Sequence, residues 1–306
     1  MRAPEFWKNR GPLALLLSPL GMLYGMSVAR KASAANPYKC AVPVICIGNL
    51  TAGGSGKTPV AIAVAKLLLA RGEKIFFLTR GYGGSATGPL LVNGQGSAIV
   101  GDEALLLAQT APTVVAKVRA AGAAFAVAQG ATGIVMDDGH QNFSLAKTVS
   151  LVVVDGFGNG LMIPSGPLRE KVTQGLARAD AVIAMNDDPL PGFTGPVIRA
   201  RLVADGAAFA GRRVFAFAGI GRPEKFAASL KESGAIVTGA KFFPDHHAYG
   251  DAEIARLRAR AGDAALVTTQ KDFVRLDAAQ RRGIAVLPVT AMFDQSQLLD
   301  RILAGV

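Results

Sequence analysis

The chain has 306 residues, half of them apolar and 18% charged, which excludes a disordered polypeptide and allows one large or two medium domains. Cys40 and Cys46 lie close together, with no second cysteine cluster and no histidine at ligand spacing, so neither a disulfide framework nor a zinc site is indicated. A net charge of +11 favours an anionic partner, either an anionic lipid bilayer or a phosphorylated substrate. No lysine–arginine tract carries interleaved aromatics, so nucleic acid is not expected, and no obligate protein partner is indicated.

Residues 12–29 are apolar, with Arg2, Lys8 and Arg10 before them and Arg30 and Lys31 after. Trp7 and Tyr24 suit a membrane interface. Pro12, Pro19, Gly21 and Gly25 argue against a straight spanning helix, and the length is at the short limit for crossing a bilayer. The basic start and Ala32-Ser33-Ala34 also resemble a signal peptide, and a core helix is a third reading. Basic charge on both flanks favours a segment lying on an anionic leaflet.

Residues 44–48 read as a buried strand, residues 60–70 as a helix, and a glycine-rich turn joins them. Thr51, Ala52, Gly53, Gly54, Ser55, Gly56, Lys57 and Thr58 therefore form a phosphate cradle. Backbone N–H groups and a helix N-terminus point at one anion, Lys57 reaches the terminal phosphates, and Thr58 takes one Mg²⁺ position. Thr51 stands where the usual G-x-x-x-x-G-K-[ST] pattern has its first glycine. The expected ligand is ATP with Mg²⁺, which together with reduced cysteines suggests the cytoplasm.

A strand over 74–79 ends at Arg80, and Gly101-Asp102-Glu103 opens a helix over 104–109. A short strand over 112–116, a helix over 118–129 and a strand over 133–136 follow, the last ending at Asp137-Asp138-Gly139-His140-Gln141. Further strands cover 150–154, ending at Asp155, and 181–184. Apolar strands alternating with helices predict a parallel sheet covered on both faces, with function at the strands' carboxyl ends. Arg80, Asp137, Asp138 and Asp155 all fall there.

Prolines and glycines interrupt the pattern over 189–196, and Asp205-Gly206 between apolar runs signals a hairpin. A second α/β series starts at Val214 and continues through strands over 235–237, 265–267 and 285–287. The predicted organisation is a membrane-associated segment (1–35), a phosphate-loop core (36–195), a hairpin linker (196–211) and a smaller C-terminal α/β domain (212–306).

Adjacent like charges at Asp137 and Asp138 suit a cation held opposite the phosphate loop, while an Asp-Gly turn is the structural alternative. Asp102 and Glu103 taken alone are equally helix-capping acids. His246 and His247 sit in a turn of the second domain beside Asp245, and a carboxylate–histidine pair across the domain cleft, built from Asp102 and His246, would make a general base. Arg169 and Glu170 join a phosphate-type cation to an acid or form a surface ion pair.

In one order, the stretches at 48–59, 79–83, 101–103, 137–141, 164–170, 243–249 and 269–276 resemble the tetraacyldisaccharide 4′-kinases of lipid A biosynthesis. The apolar N-terminal helix and Thr51 also match that family. The resemblance implies a phosphate-loop fold with a smaller second domain, at the cytoplasmic face of the inner membrane. The implied reaction moves the ATP γ-phosphate to the 4′-hydroxyl of a tetraacylated glucosamine disaccharide 1-phosphate. It also implies Asp102 as catalytic acid/base supported by His246, with Lys57 and Arg80 on the nucleotide. Thr58, Asp137, Asp138 and Glu103 would serve the metal, and Arg169, Glu170 and Gln141 the acceptor. Two positions depart from the pattern: His140 stands where Phe is frequent, and Gln270 where Glu is common. A membrane-recruited ATPase switch and a soluble small-metabolite kinase are the competing readings.

Overall fold

A computed structural model describes residues 4–306, so Arg2 lies outside the described residues. The strands in chain order are β1 Val44–Asn49, β2 Ile75–Thr79, β3 Leu90–Leu91, β4 Thr113–Val115, β5 Gly133–Asp137, β6 Val149–Val154 and β7 Ala181–Ala184. They continue as β8 Val197–Ala204, β9 Arg213–Ala218, β10 Ile236–Phe242, β11 Ala265–Thr269, β12 Ile284–Leu287 and β13 Val289–Phe293. The helices are α1 Pro12–Ser33, α2 Lys57–Ala70, α3 Ser97–Val100, α4 Asp102–Ala108, α5 Arg119–Ala128 and α6 Val172–Leu176. Beyond them come α7 Pro223–Glu232, α8 Asp251–Ala261, α9 Gln270–Phe273 and α10 Ser296–Ile302.

Nine strands form one sheet in the order β13-β8-β7-β6-β1-β5-β2-β4-β3, parallel except for β3 and β13 at its edges. Alternation along β1 explains the two layers. Ile45 and Ile47 join the core under α2, whereas Val44 and Cys46 join the core under α5. A smaller all-parallel sheet, β10-β9-β11-β12, packs α8 and α7 on its two faces through Phe215, Phe217, Ile254 and Leu257, and Val214, Ala216, Phe226 and Leu230.

The expected hairpin at Asp205-Gly206 does not form. The strand β8 pairs with β7 and, antiparallel, with β13 some 85 residues onward (Val289 opposite Ala204), while Ala207–Phe209 is a single 3₁₀ turn. The predicted domain of 212–306 therefore ends early: β13 and α10 return to the larger sheet, where Ala291, Leu299 and Leu303 pack in the α2 core. Arg71, at the end of α2, secures that return by donating to the Leu303 carbonyl (2.9 Å) and to Asp300 (2.8 Å). The local Asp-Gly turn signal was outweighed by burial of this apolar C-terminal segment.

The N-terminal segment is one helix: α1 runs through Pro19 for 22 residues. At 1.5 Å per residue this is about 33 Å. Its length and apolarity suffice to cross a membrane. Leu15, Leu16, Leu23 and Met26 are exposed, while Gly21 and Gly25 are buried against Met162. Here glycine is required by close approach: a Cβ on Gly21 would lie 2.7 Å from the Met162 carbonyl oxygen.

Candidate active site

The strand β1 ends at Asn49, whose amide donates to the Thr51 carbonyl (2.7 Å) and the Ser55 hydroxyl (2.8 Å), shaping the loop from inside. Gly56 then turns the chain into α2 with φ +82°, a conformation disfavoured for residues with a Cβ. The loop is held from outside by residues 164–170. Ala52 N donates to Pro167 O and Arg169 N to Leu50 O, both at 2.7 Å. The Arg169–Glu170 motif is thereby built onto the phosphate loop, a contact its distance in sequence does not suggest.

Thr58, in the first turn of α2, donates its hydroxyl to Asp137 Oδ2 at 3.0 Å. Asp137 is buried at the end of β5, and its Oδ1 has no hydrogen-bond partner among the described residues. Burial, then Glu103 and Asp138, push its pKa up to about 7. Asp138 adopts φ +52°, which turns its carboxylate from the strand toward Arg169 Nη1 (2.9 Å) and Lys57 Nζ (3.6 Å). Burial raises the Asp138 pKa, but Lys57 and Arg169 outweigh it and hold the group below the usual range. The adjacent acids differ in their surroundings: Asp138 is ion-paired, whereas Asp137 has no ion pair among the described residues. A buried orphan oxygen beside a hydroxyl is a donor set that fits a divalent ion.

Gln141 donates to Asn49 O (2.8 Å) and Glu170 Oε1 (2.9 Å), and Glu170, itself buried, also accepts from Arg178 at 2.6 Å. Arg80 is exposed at the end of β2. Asp155 lies at the end of β6 and is bonded to Arg222 (2.6 Å).

The carboxyl ends of the two sheets face each other. From the second domain, Arg222 reaches both Asp155 and the Gly54 carbonyl of the phosphate loop, the latter at 2.6 Å. The turn after β10 brings His246, at φ +60°, to Asp102: Nδ1 lies 3.0 Å from Oδ2. The hydrogen bond to Asp102 raises the His246 pKa. Burial raises the pKa of Asp102, but His246 and Arg275 outweigh it, leaving the carboxyl well below its ordinary value. His247 points elsewhere, to Glu253 at 2.9 Å.

Two cations here were missed by reading the sequence. Lys271 donates to Glu103 at 3.0 Å, and Arg275 donates to Asp102 through Nε (3.0 Å) and Nη2. Both lie in the 269–276 motif, and their four-residue spacing against an adjacent acid pair was the available signal. Glu103 is therefore ion-paired, while its charge still acts on Asp137. The two departures from the expected pattern have these surroundings. His140 is buried, its ring nitrogens 3.2 Å from Ser150 Oγ and 2.9 Å from Gly175 O, with burial lowering its pKa to about 3. Gln270 accepts from Val289 N at 2.9 Å, at the start of β13.

The strand–loop–helix cradle on a parallel sheet, with acids at neighbouring strand ends, defines a phosphate-loop α/β protein with a second domain closing on the loop. The family model for tetraacyldisaccharide-1-P 4′-kinase matches residues 13–306. A tetraacyldisaccharide 4′-kinase of Paramagnetospirillum magneticum is 52% identical, over 99% of each chain. Its counterpart in Rhodospirillum rubrum is 47% identical over 100% of this chain and 99% of its own. The chain belongs to the tetraacyldisaccharide-1-phosphate 4′-kinase family. LpxK of Aquifex aeolicus, crystallised in complex with ATP, has the same fold: the TM-score is 0.81 at 24% identity, covering 95% of this chain and 98% of that one.

Proposed function

We propose that this protein transfers the γ-phosphoryl group of ATP to the 4′-hydroxyl of a tetraacylated glucosamine disaccharide 1-phosphate, giving lipid IVA in lipid A biosynthesis. The observation that carries this reading is the hydrogen bond between Asp102 and His246, which sets an acid–imidazole pair from two domains beside a phosphate loop. The acceptor oxygen bonds to the γ-phosphorus as the bond to the β,γ-bridging oxygen breaks, and ADP leaves with the electron pair. The hydroxyl proton passes to the Asp102–His246 pair. His246 and Arg275 keep Asp102 ionised, so the carboxylate orients the imidazole and stabilises its charged form.

Lys57 exchanges its apposition to Asp138 for the terminal phosphates, and the loop N–H groups from Gly53 to Thr58 hold the phosphate oxygens. Thr58 and Asp137 would hold Mg²⁺, which supplies charge neutralisation on the phosphates when bound. Arg169, Gln141 and Glu170 orient the acceptor at the loop's outer edge. The exposed apolar side chains of α1, with Arg30 and Lys31 at its end, suit the cytoplasmic face of the inner membrane, where the lipid acceptor resides.

Radiolabelled ATP and the purified disaccharide acceptor, with products resolved by chromatography, test the reading. Label appearing in the 4′-phosphorylated lipid is expected. ATP hydrolysis with no labelled lipid would favour an ATPase switch, and transfer to a soluble sugar independent of lipid would favour a small-metabolite kinase.

A further inference from the structure

The reaction scheme above gives no task to Arg275, whose side chain is only 4% exposed although it spans the domain junction. On its own domain, Nη1 donates to the Gly219 carbonyl and to Asp272 Oδ1, both at 2.8 Å. Asp272 is wholly buried and is fixed in turn by Gly219 N (2.9 Å), the Tyr249 hydroxyl (2.8 Å) and the Thr269 hydroxyl (2.6 Å). The guanidinium plane is therefore set before it meets the other domain. Its opposite edge, Nε and Nη2, donates to Asp102 Oδ2, the same oxygen that faces His246 Nδ1. Oδ1 accepts from the Glu103 backbone at 3.0 Å. A carboxylate gripped on both oxygens has no free rotation left, and a planar fork imposes direction where an ammonium imposes only charge.

We propose that Arg275 is a positioning residue for phosphoryl transfer: anchored by Asp272, its guanidinium fixes the Asp102 carboxylate in the orientation that engages His246. The second domain thereby contributes both the imidazole and the clamp that aligns its partner. This rests on the reading of Asp102 and His246 as the pair serving the acceptor hydroxyl. A simple strap between domains would predict loss of folding stability alone.

Arg275→Lys and Arg275→Ala, made in the full chain, separate these roles. Each is assayed for kcat and KM at saturating acceptor, for equilibrium nucleotide binding and for thermal unfolding. Arg275→Lys is expected to lower kcat by about 10²-fold, the scale of a misplaced reacting group, while KM for ATP stays within about threefold. Guanidinium ion at sub-denaturing concentration should restore part of the Arg275→Ala rate and none of the Asp102→Asn rate. Wild-type kcat in both variants overturns the proposal, as does a loss that merely tracks the unfolded fraction and resists rescue. An inactive Asp102→Asn beside an active Arg275→Lys removes only the positioning role. An active Asp102→Asn removes the underlying reading as well.

Discussion

Nδ1 of His246 and Oδ2 of Asp102 lie 3.0 Å apart although 144 residues separate them in the chain. If the pair handles one proton as a unit, its losses do not add. Asp102→Asn should lower kcat by about 10²–10⁴ and leave nucleotide affinity largely intact. His246→Ala should cost much of the same, and the double variant little more than the poorer single one. His247→Ala should be milder, because His247 faces Glu253. Full additivity in the kinetic cycle would rule out the pair.

The same contact gives a pH dependence of stability. The folded His246 pKa is raised, so the charged imidazole is favoured in the native state. Its contribution is fully present below the ordinary imidazole pKa and disappears as pH rises through the raised value. The stability difference between wild type and His246→Gln, measured by urea unfolding, should therefore narrow from pH 6 to pH 9. A difference that widens would contradict the assignment.

Asp137 titrates with the opposite consequence from a salt-bridged acid. With the folded pKa raised to about 7, the native state binds its proton more tightly than the unfolded chain, and stability falls as pH climbs from the ordinary carboxyl value toward 7. Asp137→Asn should thus be more stable than wild type at pH 8 without divalent cations, and the advantage should vanish by pH 4. Added Mg²⁺ with nucleotide should raise the wild-type Tm more than the variant's. Equal shifts would place the cation elsewhere.

Lys57→Ala should lower kcat by at least about 10²-fold, since the migrating phosphoryl group loses its nearest fixed cation. Circular dichroism should stay native, because Asp138 keeps Arg169 as partner. Turnover within a few-fold of wild type would disprove the phosphate-loop role.

The seam of α1 distinguishes its two glycines. A Cβ on Gly25 would meet the flexible Met162 side chain, but on Gly21 it would meet the Met162 backbone carbonyl and Ser165 Oγ. Gly21→Ala should cost about 1–3 kcal/mol of docking, the range for overpacking, and Gly25→Ala distinctly less. Limited trypsin cleavage after Arg30 and Lys31 reports this, and the reverse order of sensitivity would refute the seam.

Contiguous signals were legible in the sequence. Strand β1, the glycine loop and the start of α2 at Lys57 and Thr58 follow one another, so reading them in order sufficed to place these elements. The acids at the ends of β5 and β6 were placed by the same logic, since an apolar parallel strand must deliver its terminal residue to one edge of the sheet. The apolarity of residues 12–29 likewise announced a helix, though not its unbroken course through Pro19. What stayed hidden depended on long-range pairing. The antiparallel pairing of β13 with β8 needed the buried C-terminal segment to override a turn signal. Asp138, just past the end of β5 at φ +52°, meets Lys57 and Arg169, whereas Asp137 meets Thr58. Arg275 reached Asp102, 173 residues away, only because the two sheets present their carboxyl ends to each other. Residue type and spacing specify which groups carry charge. Which carboxylate meets which cation is decided by tertiary packing, because the electrostatic gain is realised only where burial removes water from both.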